Sequence, residues 1–321
     1  MEFGFVWLIT FMGDVPSAGV FMFAMGWGAA CSMRSTPKTY LRRVPQLFLL
    51  GIVINFFEDY VPSILAPEHF GTLEENAPAI LATDIYFFAA LASFYLALMK
   101  LLKDKPALAI ISSIALLVVC TTIRVAFGFE NYSTGNDWFD MLINMFIREN
   151  NWSYFPFTVW IIFPMVGYGA AMAYKEIRDD RQFLKFAAIT GIAAILSAEL
   201  AIYHWDMPDA TLLDSFEVDE GLYYSMHPFD ATVALGIIAL EFVAASFVIK
   251  LLKNLPPIIE NMSRNVMEIY IAQWVIIGCL SPQIFKINEP WLSVAASFAI
   301  LVESCIVAAV YKTISARRRA R

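Results

Sequence analysis

The sequence predicts an all-α, polytopic membrane helix bundle of about nine transmembrane helices, and three observations carry that expectation. Of the 321 residues, 59% are hydrophobic and only 16% are charged, with a mean hydropathy of +0.63, whereas a soluble domain is about 25% charged. Nine stretches approach the roughly 20 apolar residues that a helix needs to cross the hydrocarbon core. Finally, of the 22 Lys and Arg residues, all but Arg124, Arg148 and Lys286 gather near the ends of these stretches.

The nine segments cover about 15–33, 44–64, 79–102, 107–129, 154–174, 183–204, 229–250, 265–285 and 291–312. Basic clusters follow the first, third, fifth, seventh and ninth: Arg34/Lys38/Arg42/Arg43, Lys100/Lys103/Lys105, Lys175/Arg178/Arg181/Lys185, Lys250/Lys253/Arg264 and Lys312/Arg317/Arg318/Arg319/Arg321. Short basic loops resist translocation, so these clusters and the C-terminus are expected in the cytoplasm. Loops 58–78, 130–153, 205–228 and 286–290 are then expected outside. The third of these carries Asp206, Asp209, Asp214, Glu217, Asp219 and Glu220 without a base. Residues Trp138–Ile147 are too short to span and read as an interfacial helix. With no repeat or soluble segment, residues 1–321 read as a single integral membrane domain, expected in a bacterial inner membrane. The parity places the N-terminus outside, yet residues 1–14 hold no basic n-region of a secretory signal. The expectation is an upstream helix, the alternative being that Phe3–Met12 lies at the interface.

Composition also excludes. Acids and bases segregate into different loops, so the net charge of −7 and pI near 5.1 give no ground for nucleic-acid binding. Cys31, Cys120, Cys279 and Cys305 each fall in an apolar segment without a CxxC pair, so neither a disulfide framework nor a zinc site is indicated. No metal-ligand spacing, Walker A loop, GxSxG elbow or dinucleotide fingerprint occurs. Gly13, Gly19, Gly26, Gly28, Gly167 and Gly169 fit close helix packing, the commoner use of small residues in membrane helices.

An ionisable side chain inside a spanning helix costs about 2.5–3.5 kcal/mol on insertion scales and marks a functional candidate. Asp84, Arg124, Glu199 and His204 lie near outer helix ends and, with Asp14, Asn55 and His227, form an expected outer polar layer. Glu241 and Glu303 fall near the midplane, and Glu268 and Gln273 toward the inner side. Bland alternatives stand beside these. Asp84 and Arg124 fit a structural ion pair, His69 a solvated loop, and His204, between Tyr203 and Trp205, an aromatic belt. His227, in Tyr223-Tyr224-Ser225-Met226-His227-Pro228, fits a general base as well as a belt residue.

Four stretches resemble the acyltransferase-3 and heparan-alpha-glucosaminide N-acetyltransferase-like transmembrane acyltransferases. Phe21-Met22-Phe23-Ala24-Met25-Gly26-Trp27-Gly28, with Tyr40-Leu41-Arg42-Arg43, is similar to that family's second helix and its basic turn. Asp84-Ile85-Tyr86-Phe87-Phe88-Ala89-Ala90-Leu91 resembles its Asp-Ile-Leu-x-Phe-Ala-Gly-Leu helix. Phe155-Pro156-Phe157-Thr158-Val159-Trp160 through Pro164–Tyr168 resembles its Phe-Pro-x-x-Pro-Trp helix, and Met262-Ser263-Arg264-Asn265 through Tyr270 and Trp274 its late Ser-Arg-Asn helix. Ala90, where Gly is usual, and Gln273, where many relatives carry His, depart from it.

The resemblance implies a ten- or eleven-helix enzyme that moves an acyl group, often acetyl, from cytoplasmic acyl-CoA to a hydroxyl or amine of a sugar-like acceptor. No bound cofactor is expected; acyl-CoA is the co-substrate, and the acceptor and the lipid bilayer are the other partners. The family's catalytic His belongs to a first helix that this chain apparently lacks, which leaves His227 as the candidate base, with Asp84 and Arg124 shaping the site. Arg34, Arg42 and Arg43 are the expected contacts to acyl-CoA phosphates, for which planar, bidentate guanidinium groups are suited. Asn55, Glu199, His204, Glu241, Gln273 and Glu303 complete the expected polar cavity. The rivals are a transporter or flippase of a polar or lipid-linked solute, using Asp84, Arg124, Glu241 and Glu303, and a catalytically silent membrane protein.

Overall fold

The protein's structure, a computed structural model, describes residues 2–32, 36–102, 105–127, 133–147, 154–204, 226–252, 255–284, 286–287 and 289–319, with side chains from Ser17 onward except at 290, 316, 318 and 319. Every regular element among them is helical, with no strand, as expected where each backbone N–H and C=O must be satisfied within its own segment. The helices are α1 (Glu2–Cys31), α2 (Pro37–Asn55), α3 (Val61–Leu65), α4 (Pro67–Phe70), α5 (Ile85–Leu101), α6 (Pro106–Ala126), α7 (Asp137–Asn144), α8 (Phe157–Trp160), α9 (Ile162–Ile177), α10 (Asp180–His204), α11 (Pro228–Leu252), α12 (Pro257–Arg264), α13 (Val266–Ile284) and α14 (Pro290–Arg319). Pro106, Pro228 and Pro257 open their helices, where a missing N–H costs nothing. Lys100, Lys175 and Lys250 occupy last turns and complement the helix dipoles.

Seven helical stretches among the described residues are long and apolar enough to cross a membrane: Pro37–Leu65, Ala77–Leu101, Pro106–Ala126, Phe157–Ile177, Asp180–His204, Pro228–Leu252 and Trp291–Ser315. These are seven of the nine expected segments; the other two fall on α1, whose described side chains begin at Ser17, and on α13, a 19-residue helix that carries Glu268, Gln273 and Pro282. The expected loop at 58–78 is also largely helical, because a π turn, Phe56–Tyr60, carries α2 into α3. The interfacial helix is α7, which exposes Trp138, Phe139 and Leu142 while burying Asp140, Met141 and Asn144. The acidic loop expected at 205–228 lies, up to residue 225, outside the described residues.

The chain divides into two compact units, residues 1–49 with 82–248 and residues 50–81 with 249–321. In the first, the seam between α1 and α9 is set by glycine. A Cβ at Gly26 would strike the Pro164 carbonyl, and one at Gly167 would strike the Phe23 carbonyl, so the backbones are in direct contact, as small-residue pairs allow in membrane bundles. Lys175 Nζ donates to the Ala30 carbonyl at 2.5 Å and Tyr40 Oη to the Ala29 carbonyl at 3.4 Å, satisfying carbonyls that the end of α1 leaves without helical partners. Phe155, Trp160 and Phe163 pack in sequence with ring centroids 4.9 and 5.2 Å apart. A second seam joins α10 to α11, where a Cβ at Gly191 would lie 2.9 Å from the Gly236 carbonyl.

In the second unit, α13 packs against α14, α3 and the π turn, and Gly278 meets the Phe57 carbonyl without room for a Cβ. Asn55 Nδ2 donates to the Ile80 carbonyl at 3.2 Å and Tyr60 Oη to the Ala77 carbonyl at 2.6 Å. Lys312 Nζ reaches Asn265 Oδ1 and lies 3.6 Å from Glu268 Oε1.

Two glycines on one helix separate packing from propensity. Gly26 has a carbonyl where its Cβ would go, whereas Gly28 has nothing within 4 Å. Gly28→Ala should stabilise by up to about 1 kcal/mol through helix propensity. Gly26→Ala should destabilise by about 1–3 kcal/mol through overpacking. Thermal unfolding of the purified variants in detergent measures both signs.

Candidate functional site

One end of the first unit carries a band of buried polar side chains. Consecutive spans alternate in direction, so the start of α5, the end of α6, helix α7, the start of α8 and the start of α11 share that end. Buried there are Thr83, Asp84, Thr121, Arg124, Asp140, Asn144, Thr158 and Asp230.

Arg124 is placed by a stripe on α6. Ala109, Ser113, Leu117, Thr121 and Arg124 recur at helical spacing and are the buried residues of that helix, while Ile111, Ile114, Val118 and Val125 are exposed on its other face. The guanidinium is therefore carried into protein, with Arg124 5% exposed. Asp84 stands at the N-cap of α5 in extended conformation, but its side chain makes no cap hydrogen bond to that helix. Its carboxylate is 4% exposed and directed to other groups.

His227 is the N-cap of α11. Its backbone N–H donates to Asp230 Oδ2 at 3.2 Å, and its Nδ1 accepts from the Phe229 N–H at 3.5 Å. This is the reciprocal logic of a capping box with Asp in place of Glu, and Pro228 fixes the chain between them. The imidazole is half-buried beside the Phe229 ring. Burial and, after it, the positive charge of Arg124 hold its pKa below the ordinary 6.5, since both penalise the imidazolium. The two residues thus lie within electrostatic reach, and both influences favour the neutral form of His227.

The remaining candidates are distributed. Glu199 and Glu241 are half-buried on α10 and α11, and Glu199 Oε1 is buried without a hydrogen-bond partner among the described residues. His204 is exposed in the last turn of α10. Asn55, Gln273 and Glu303 belong to the second unit: Asn55 is buried and tied to the Ile80 carbonyl, Gln273 is half-buried, and Glu303 is exposed on α14. Arg42 and Arg43 are exposed at the start of α2, with Arg43 lying 5.8 Å over the Tyr40 ring. Arg34 lies outside the described residues, as does the side chain of Asp14. The four cysteines are free, and no group of ligands able to hold a metal occurs among the described residues.

Sequence reasoning missed Asp230, Asp140, Asn144, Thr83, Thr121 and Thr158. The spacing His227-Pro228-Phe229-Asp230 is a capping signal that could have revealed the first. The others are single polar residues in loops or at helix ends and carry no pattern. Lys100, which lies 5.1 Å over the Tyr168 ring, was read only as part of a charge cluster.

An imidazole whose neutral form is favoured can accept a proton from a nucleophile, and a guanidinium within electrostatic reach can stabilise a developing oxyanion. Because the folded-state pKa of His227 lies below 6.5, protonation favours the unfolded chain. The contribution of the neutral form is complete above about pH 6.5 and is lost as pH falls through the lowered value. Arg124→Gln should raise the His227 pKa part of the way back, because burial persists. Imidazole NMR shifts across a pH series measure this, with the His227→Gln variant assigning the signal.

Neither curated proteins nor solved structures give a significant match. A sequence model of the acyltransferase-3 family, described as an acyltransferase domain, matches residues 5–310. That match takes in both units, the polar band and the basic turns, and the chain accordingly belongs to the acyltransferase-3 family of membrane acyltransferases.

Proposed function

We propose that the protein moves an acyl group, acetyl in the first instance, from acyl-CoA to a hydroxyl or amine of a sugar-like acceptor, with His227 as the base. The observation that carries this reading is the half-buried imidazole fixed at the start of α11, where burial and the charge of Arg124 favour its neutral form. Family membership supports acyl transfer; the donor and the acceptor are our inference.

In the reaction, His227 Nε2 takes the proton of the acceptor O–H or N–H as that atom attacks the thioester carbonyl. A C–O or C–N bond forms, the C–S bond breaks, and the proton passes to the departing CoA thiolate. For Nε2 to act as base, Nδ1 must carry the ring proton, which gives up the contact with the Phe229 N–H. At 3.5 Å that contact is at the limit of a hydrogen bond, so the required tautomer is within easy reach. Arg124 would stabilise the oxyanion, and Asp84 would orient the polar band. Arg34, Arg42 and Arg43 would bind the CoA phosphates on the cytoplasmic side of a bacterial inner membrane, where the C-terminus would also lie. A transport path through Glu241 and Glu303 finds less support, because Glu303 is exposed on α14.

Purified protein supplied with labelled acetyl-CoA and a panel of sugars should release free CoA only with an acceptor present. His227→Gln should lower kcat by about 10²–10⁴-fold; turnover retained in that variant removes the imidazole from the mechanism. Replacing Arg42 and Arg43 together by Ala should raise the KM for acetyl-CoA, each charged contact contributing about 1.5–3 kcal/mol, with kcat little changed. Solute uptake into vesicles without CoA release would support the transport alternative instead.

A further inference from the structure

The first unit contains a cavity of about 370 Å³ between α9, α10 and α11, with α1 and α6 at its edges. It exists because facing helices present small residues to it, among them Gly169 and Ala173 of α9, Ala187 and Gly191 of α10, and Gly236 and Ala239 of α11. Trp27 lines it, and the Trp27 ring packs on those of Tyr174, Phe183 and Phe242 at centroid distances of 5.7, 5.8 and 5.2 Å. Its lining reaches the outer face of these helices at half-buried Ile110 and Ala170 and at Phe186, which is 52% exposed, and we take this as its mouth.

The wall is almost wholly apolar: its side-chain polar groups are the Trp27 indole N–H and the Thr190 hydroxyl, whose Oγ1 donates to the Phe186 carbonyl at 2.8 Å. A water needs two to four polar partners to be held in such a space, so water is a poor occupant. The surface around the mouth is that of spanning helices, with Ile189 and Ile192 exposed beside it, and the medium against that surface is hydrocarbon. The basic residues on the lining helices complement an anionic headgroup: Lys105 stands at the N-cap of α6, Lys185 directly precedes Phe186, and both are exposed. Membrane-adjacent lysines attract anionic lipids in this way.

We propose that this cavity is a lateral binding site for one acyl chain of an anionic phospholipid, drawn from the leaflet on the side of the basic turn 175–185, with its headgroup at Lys105 and Lys185. The site is independent of the acyl-transfer reaction. Trp27 is its reporter.

The full chain is reconstituted in nanodiscs of phosphatidylglycerol, with or without bromine atoms on the acyl chains, and the Trp27 share of the fluorescence is taken as the difference between the native protein and Trp27→Phe. Brominated phosphatidylglycerol should quench that share, brominated phosphatidylcholine should quench it less, and Ala170→Phe at the mouth should abolish the quenching. A second reading needs no Trp variant: native mass spectrometry should show a retained phosphatidylglycerol that Ala170→Phe loses. An unquenched Trp27 share, equal quenching in Ala170→Phe, or no difference between the two lipids would overturn the proposal. So would relief of quenching by long-chain acyl-CoA, which would assign the cavity to the donor.

Discussion

A charge inside a membrane-spanning helix must be surrounded by protein, and the polar end of the first unit is organised around that requirement. Arg124 sits on a helix whose other face is apolar and exposed, so only the bundle can receive its guanidinium. Burying a charge costs several kcal/mol unless neighbours compensate. The same position gives the charge its effect on His227, because in a water-poor surrounding a guanidinium acts on an imidazole over distances at which solvent would screen it. One constraint thus produces both a structural demand and a chemical tool.

Rigidity at that site comes from elsewhere in the same unit. Carbonyl-to-glycine contacts at Gly26 and Gly167 bring α1 and α9 to backbone contact, and α9 leads back through α8 to the polar band. There the Phe155 N–H donates to the Thr83 carbonyl at 3.1 Å and the Phe157 N–H to the Met145 carbonyl at 3.0 Å. These bonds tie the start of α8 to the residue before Asp84 and to the end of α7. His227 is held separately, by Asp230 and Pro228, at the start of α11. Most of the side chains that shape the band are therefore fixed by backbone bonds of loops that a membrane would otherwise leave unsatisfied.

Much of this was legible in the sequence, and the limits are physical. Hydropathy and basic clusters located the helices because length and charge placement act segment by segment. The second segment, expected at 44–64, ends where expected, but the outer loop expected from residue 58 overlapped it, because a π turn carries the helix across Phe56–Tyr60 despite Glu58 and Asp59. Arg124 stood out because an ionisable group in an apolar run is rare, and His227 because it opens a helix beside hydroxyls and a proline. Both were expected in one outer polar layer, but that the Arg124 charge acts on His227 depends on how α6 and α11 pack. Asp140 and Asn144 escaped notice because α7 was read as lying on the surface, whereas it buries that face.

The central claim is that His227, kept neutral by burial and by Arg124, is the base for acyl transfer. The most direct measurement is the pH dependence of kcat/KM for acetyl-CoA-dependent transfer in the native protein and in Arg124→Gln. A base must be unprotonated, so the rate should fall on the acid side with a midpoint below 6.5, and that midpoint should move up in Arg124→Gln. A native profile with no acid limb in this region, or a limb that ignores the Arg124 substitution, would contradict the account.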